Sequence, residues 1–338
     1  MQSAETVLGV LRERGRRGLP CNELYRQMFN FNLYLLAYGK IYANHGVMTP
    51  GASAETADGM SEDKIQKIIE AMRRERYRFS PARRTFIPKK NGKMRPLGLP
   101  TWSDKLVGEV VRLLLEAYYE PTFSGHSHGF RPGRGCHTAL TEVAVNWTGT
   151  TWFIEGDISD CFGSLDHDIM AGILSEKILD NKFLRLIRNM LKAGYLEDWK
   201  YHDTLSGAPQ GGLVSPILSN IYLSKLDTFA ETVLIPQHTR GKRRKQNPEY
   251  RKVHHRLTRA RKEGDRGKAW ARPGNTSGRR VPSPSGTHPT PGTAGCATRV
   301  TQIYADVGIN LLMPTSGLCR RRVSFPWSKA VVPLTGSA

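Results

Sequence analysis

Apolar residues recur at three- and four-residue steps in several separate stretches, and each stretch predicts a helix. Leu24, Met28, Phe31 and Leu35 place one such stripe within a helical region spanning residues 1–40. Ser61, with Glu62 and Asp63 behind it, opens a second helix that runs to about Arg76, since a hydroxyl and early acids satisfy the first free amides. Leu106, Val110, Leu113, Leu114 and Ala117 form a third stripe, capped by Thr101 or Ser103 and stopped by Pro121. Another helix starts near His137. Asp166 caps a helix that turns Met170, Ile173, Leu174 and Ile178 inward, and residues 182–193 repeat the pattern with Phe183, Ile187, Met190 and Leu191 before Gly194. Ser215 as N-cap and Pro216 in the first turn begin the last of them. Its inward face is Leu218, Tyr222, Leu226, Phe229 and Val233.

Two stretches read as extended. Arg83–Pro100 holds Asn91-Gly92 between two strand-like runs, the signature of a two-residue hairpin turn. Six cations and no acid lie on it: Arg83, Arg84, Lys89, Lys90, Lys93 and Arg95. Like charges facing across strands destabilise a hairpin unless an anion lies between them. A triphosphate or a nucleic-acid backbone would serve. The second stretch, Trp152 to Ile158, is a short strand with Asp157 near its exposed end. A carboxylate there costs free energy unless it caps, pairs or holds a metal.

Charge narrows the field of partners. The 338 residues carry 50 Lys and Arg against 30 Asp and Glu, a net +20, which points to a polyanion. Between Pro236 and Arg280 there are 16 Lys and Arg and only three acids, so this segment of 45 residues supplies +13 of the total. Tyr250–Lys262 within it suits a basic helix that forms on binding. The Gly-rich loop from Gly125 to Gly135, with Arg131 and Arg134, is a second basic element open to a nucleic-acid strand. No apolar run is long enough to cross a bilayer. The N-terminus lacks the apolar core of a signal peptide, and five scattered cysteines form no CxxC pair, so a reduced, cytoplasmic chain is expected.

Five ordered blocks between about Asn22 and Tyr250 resemble the reverse transcriptases of group II introns, the maturase type. They are Ile87-Pro88-Lys89 with Arg95-Pro96-Leu97-Gly98-Leu99-Pro100; His128-Gly129-Phe130-Arg131-Pro132-Gly133-Arg134; Gly156-Asp157-Ile158 with Cys161-Phe162 and Leu165-Asp166-His167; Ala208-Pro209-Gln210-Gly211-Gly212; and Ser215-Pro216 with Asn220-Ile221-Tyr222-Leu223. The resemblance implies an α+β right-hand polymerase with helical fingers, a basic β-hairpin and an antiparallel palm sheet backed by helices, the thumb being absent. It implies that Asp157 holds Mg2+, helped by the backbone carbonyl of Ile158. Phe162 would lie under the incoming sugar and exclude a 2′-hydroxyl, Gln210 would line the nucleotide site, and Lys89 and Arg95 would grip the triphosphate. The implied partners are an RNA template or intron RNA, a DNA primer or target, and deoxynucleoside triphosphates, with no membrane.

The family's second catalytic block reads Tyr-Ala-Asp-Asp, and this chain has Tyr304-Ala305-Asp306-Val307. Asp306 is the remaining candidate for the second metal-binding carboxylate. Residues 267–300 contain 19 Gly, Pro, Ser or Thr among 34, and Asp306 is the one acid from Arg266 to Ala338, as a truncated or frameshifted copy would read from about residue 266. The expected organisation is helical extension and start of fingers over 1–80, fingers and palm over 81–235, a basic insert over 236–280 and a poorly ordered tail over 281–338. The expected activity is template-directed nucleotidyl transfer with two Mg2+, impaired in this chain. The alternative is a non-catalytic intron RNA-binding maturase fragment, and a primase-like palm polymerase is a weaker third reading.

Overall fold

A computed structural model describes residues 2–43, 48–88, 92, 94–147, 155–158, 160–204, 206–207, 212–239, 248–262 and 309–312. The chain divides into two compact units, Met1–Phe229 with Tyr304–Ala338, and Ala230–Ile303.

The first unit is built on one helix, α5 (Trp102–Tyr119). Thr101 caps it, its Oγ1 accepting from the Asp104 amide at 3.2 Å. The stripe seen in the sequence is buried, and so are Val107, Val111, Leu115 and Tyr118 on the other sides. A helix buried on most of its sides belongs inside a core, and its Arg112 is paired there with Glu109 and Glu116. The core around it comes from α1 (Ala4–Arg16), α3 (Phe31–Tyr42) and α9 (Ser215–Phe229). Gly15 is where α1 meets α5: a β-carbon there would lie 1.9 Å from the Tyr118 carbonyl.

The N-terminal stripe is not one helix. Leu24 and Met28 belong to the short α2 (Leu24–Gln27) and its end. Asn30 then caps α3 by accepting from Asn32 at 3.0 Å. That restart changes the helical phase, so Leu33, Tyr34, Ala37 and Ile41 are buried while Leu35 is exposed. The helix opened by Ser61 is α4 (Glu62–Arg73). It stops short of Arg76 because Glu75 takes a left-handed backbone, φ 55°.

A four-stranded mixed sheet flanks these helices in the order β2-β1-β4-β5. β1 (Ala82–Pro88) and β2 (Met94–Leu99) are antiparallel. Pairing Pro88 with Met94 leaves five residues between the strands, so the connection is not the two-residue turn expected at Asn91-Gly92. An odd loop with a left-handed glycine, here Gly92 at φ 78°, fits that register. β4 (Tyr195–Glu197) runs parallel to β1 and turns through Asp198 and Trp199 into β5 (Lys200–His202). Both turn residues have positive φ, 49° and 60°, the geometry of a type I′ turn.

The remaining elements carry the blocks singled out in the sequence. α6 (Cys136–Asn146) buries none of its residues. β3 (Glu155–Ile158) is the described part of the strand expected from Trp152, and it pairs antiparallel with β6 (Ile309–Leu312). β6 thus draws a piece of the expected structureless tail into the first unit. α7 (His167–Ser175), capped by Asp166, and α8 (Asn181–Leu191), capped by Asp180, bury the apolar faces expected of them, with Ile173 and Met190 at the half-buried edge. The described part of the second unit is a π-helical turn (Ala230–Leu234), α10 (Ile235–His238) and α11 (Pro248–Lys262). The π turn interrupts the long helix expected through Val233. Pro236, which lacks an amide and whose ring clashes with the preceding turn, explains the break.

Candidate functional site

Three sequence-distant segments meet at the turn that follows β3. Asp160 has φ 50°, and its carbonyl accepts from the amides of Gly163 and Ser164, both at 3.0 Å. This tight turn sets Phe162, half-buried, against Phe130 from the loop before α6, with ring centroids 6.2 Å apart at 73°. Gly207 closes on the same turn. Its amide donates to Leu165 O at 2.6 Å, and the Ser206 hydroxyl donates to Gly163 O at 3.1 Å. A β-carbon at Gly207 would lie 2.7 Å from the Phe162 carbonyl, and its φ is 87°, so glycine alone suits that position.

Two neighbours hold this arrangement. His167 donates from Nε2 to the Gly207 carbonyl at 2.7 Å. Its buried Nδ1 has no partner among the described residues. α9 supplies Ser219, 3.4 Å from the Cys161 sulfur, and Asn220, whose amide donates to Gly129 O at 2.9 Å. Burial, with Asp166 and Cys161 nearby, pushes the Tyr222 phenol up to about 12, so it stays neutral at physiological pH.

The loop from Gly125 to Gly135 corrects the sequence reading of its arginines. The Arg131 side chain is 5% exposed. Its guanidinium grips the Glu120 carboxylate at 2.9–3.1 Å and donates to the carbonyls of Ser124 and Ser127 at 2.7 and 2.8 Å. Arg134 bonds the carbonyl of Gly125. Arg131 folds the loop rather than presenting its charge to an anion, and half-buried Arg134 braces the same loop. Beside them Glu142 of α6 bonds His126 and His128, which hold its carboxyl below the usual range.

The hairpin argument also changes. Arg83 faces Leu99, Arg84 faces Gly98 and Arg95 faces Ile87, so no two described cations oppose each other directly. Arg84 is committed to β4: it pairs with Glu197 at 3.2 Å and lies 3.4 Å over the Tyr195 ring. Arg95 is exposed on β2. Lys89, Gln210 and Asp306 lie outside the described residues. Of Asp157 the backbone is described, at the C-terminal end of β3 opposite Asn310, and Ile158 is half-buried next to it. No cluster of three metal-ligating side chains occurs among the described residues. A strand-end carboxylate and a backbone carbonyl are hard oxygen donors, which fit Mg2+ in kind.

In the second unit, α11 carries Arg251, Lys252, Arg256, Arg259, Arg261 and Lys262 against Glu249. The basic helix expected to await a partner is thus a formed helix.

Sequence reasoning passed over Gly207, Asn220 and Phe130 as site residues. Each stood inside or beside a quoted block, and the missing signal was three-dimensional: the backbone carbonyls that Gly207 and Asn220 meet, and the Phe162 ring that Phe130 meets. The β4–β5 hairpin was missed because Asp198-Trp199 lacks the glycine that normally marks such a turn.

Comparison with known proteins gives the family of the segment that holds this turn. Residues 87–236 match the family described as reverse transcriptase (RNA-dependent DNA polymerase). That segment, which contains the Phe162 turn and everything packed on it, is a reverse transcriptase domain. The chain is 48% identical over 237 residues to the group II intron-encoded protein LtrA of Lactococcus lactis, covering 70% of this chain and 39% of that protein. It is 46% identical over 242 residues to an uncharacterized 91 kDa protein in the cob intron of Schizosaccharomyces pombe, covering 71% and 30%. It is 32% identical over 140 residues to the nuclear intron maturase 1, mitochondrial, of Arabidopsis thaliana, covering 41% and 16%. The chain therefore spans about two-fifths or less of the length of these relatives. Along these stretches it is similar to group II intron-encoded proteins and intron maturases.

Proposed function

We propose that this chain acts as an RNA-directed DNA polymerase domain, adding deoxynucleotides to a primer on an RNA template. The observation that carries the reading is the convergence on one turn of the Phe162, Gly207 and Gly129–Phe130 segments, braced by α9. In this reading α1–α6 with the β1–β2 hairpin are fingers, β3 and β6 with α7–α9 are palm, and residues 236–280 form a basic nucleic-acid-binding insert.

Asp157 and the Ile158 carbonyl would hold Mg2+, with Asp306 as the other carboxylate. Bound there, the ion would neutralise charge on the phosphates and raise the acidity of the primer 3′-hydroxyl. Phe162 forms the floor under the sugar and leaves no room for a 2′-hydroxyl. Gln210, three residues beyond the fixed Gly207, lines the nucleotide. Lys89 and Arg95 would meet the triphosphate, where cations stabilise charge that builds on the phosphates. Val307, where the family has a second aspartate, lowers the rate.

The test is primer extension by the full chain on an RNA template with Mg2+, alongside Asp157→Ala. Weak synthesis that disappears in Asp157→Ala is the expected result. Synthesis that survives Asp157→Ala refutes the assignment.

A second reading has support of its own in α11, whose cations face little acid. As an RNA-binding maturase fragment, the chain would bind RNA with steep salt dependence and indifference to Asp157→Ala.

A further inference from the structure

Phe130 is the unusual residue of the loop before α6. The residue is 70% exposed, far more than one whose task is packing. Its φ is 53°, a left-handed backbone that a bulky side chain adopts only against a steric cost. Among the described residues its one aromatic contact, edge-on to Phe162, leaves most of the side chain open.

The loop nevertheless holds this conformation on both sides of the residue. Before it, Asn220 of α9 fixes the Gly129 carbonyl at 2.9 Å. After it, buried Arg131 is anchored to Glu120 and to two carbonyls. The edge-on contact with Phe162 then sets the ring beside the turn read above as the floor of the nucleotide pocket. An aromatic ring presented to solvent on a rigid support is preorganised to stack on a flat π-face, and an unpaired nucleobase is such a face.

We propose that Phe130 is a stacking residue for an unpaired base of single-stranded nucleic acid passing the Phe162 turn, an assignment that rests on the polymerase reading of that turn. The ring neutralises no phosphate, so its contribution is independent of salt and dependent on the presence of a base.

The experiment is fluorescence anisotropy on the full chain with a labelled oligouridylate and with an abasic strand of equal length. Phe130→Ala should weaken oligouridylate binding by about ten-fold, within the range measured for loss of one base–aromatic stack. It should leave the salt slope and the affinity for the abasic strand unchanged. Phe130→Trp should retain binding. Phe130→Gly should lose binding while melting no lower than wild type, because glycine tolerates the left-handed backbone that Phe130 strains to adopt. Equal oligouridylate affinity for wild type and Phe130→Ala overturns the stacking role while leaving the polymerase reading intact. A wild-type chain that binds neither strand overturns both.

Discussion

Removing the Arg131 side chain tests whether the loop that carries Phe130 is held by a buried charge. In Arg131→Ala the Glu120 carboxylate, 26% exposed, loses its guanidinium, and the carbonyls of Ser124 and Ser127 each lose their shorter hydrogen bond, keeping the Ser127 amide at 3.3 Å and Arg134 at 3.4 Å. Breaking a buried ion pair from one side costs about 3–5 kcal/mol, and each weakened carbonyl hydrogen bond adds at most about 1 kcal/mol. Glu120 and the loop carbonyls regain some water, so the low end applies, and we expect a loss of about 3 kcal/mol. Urea unfolding of the full chain, followed by far-UV circular dichroism, measures it. Arg131→Lys should fall between wild type and alanine, because an ammonium cannot grip the carboxylate with two prongs. Glu120→Ala combined with Arg131→Ala should recover part of the loss by removing the unpaired carboxylate. A loss below about 1 kcal/mol for Arg131→Ala, within the range of an exposed pair, would refute the reasoning.

Gly207→Ala should destabilise the first unit by about 1–3 kcal/mol, read by thermal unfolding, since both its φ of 87° and the Phe162 carbonyl oppose a β-carbon. Gly15→Ala should separate α1 from α5 and lower the melting temperature, because the obstruction is the Tyr118 backbone rather than a movable side chain. Glu142 is held below the ordinary carboxylate range by His126 and His128. Its stabilising contribution is therefore complete above the unfolded value of about 4.3 and disappears as pH falls through the depressed one. Amide exchange in α6, corrected for its intrinsic pH dependence, should accelerate over that interval in wild type and not in Glu142→Gln. Replacing Arg251, Lys252, Arg256 and Arg259 of α11 by Gln should flatten the dependence of RNA affinity on salt, and an unchanged slope would remove α11 from the interface.

Much of the helical framework was legible from apolar spacing and capping residues. Ser61, Thr101 and Asp166 mark helix starts through their own side-chain oxygens, a local effect that sequence displays directly. The stripe drawn through Leu24, Met28, Phe31 and Leu35 failed because Asn30 restarts the helix, and one restart rotates every later residue off the assumed face. The hairpin's position was legible while its turn was not: pairing Pro88 with Met94 depends on loop length, which the Asn-Gly pair misstated. Charge misled where partners were distant in sequence. Arg84 and Arg131 looked available to an anion, yet Glu197 lies 113 positions from the first and Glu120 approaches the second only through the fold. Phe162 drew notice in the sequence by its position five residues after Asp157, whereas the packing of Phe130 and Gly207 on its turn did not, because those contacts join segments that no local pattern links.

The central claim is that the Phe162 turn is the floor of a deoxynucleotide pocket. Single-nucleotide incorporation opposite an RNA template, with enzyme in excess over primer, tests it by comparing a deoxynucleoside triphosphate with the matching ribonucleotide. We predict that wild type incorporates the deoxynucleotide alone, that Phe162→Ala accepts both, and that Asp157→Ala incorporates neither. Incorporation by Phe162→Ala with the wild-type preference intact would contradict the account.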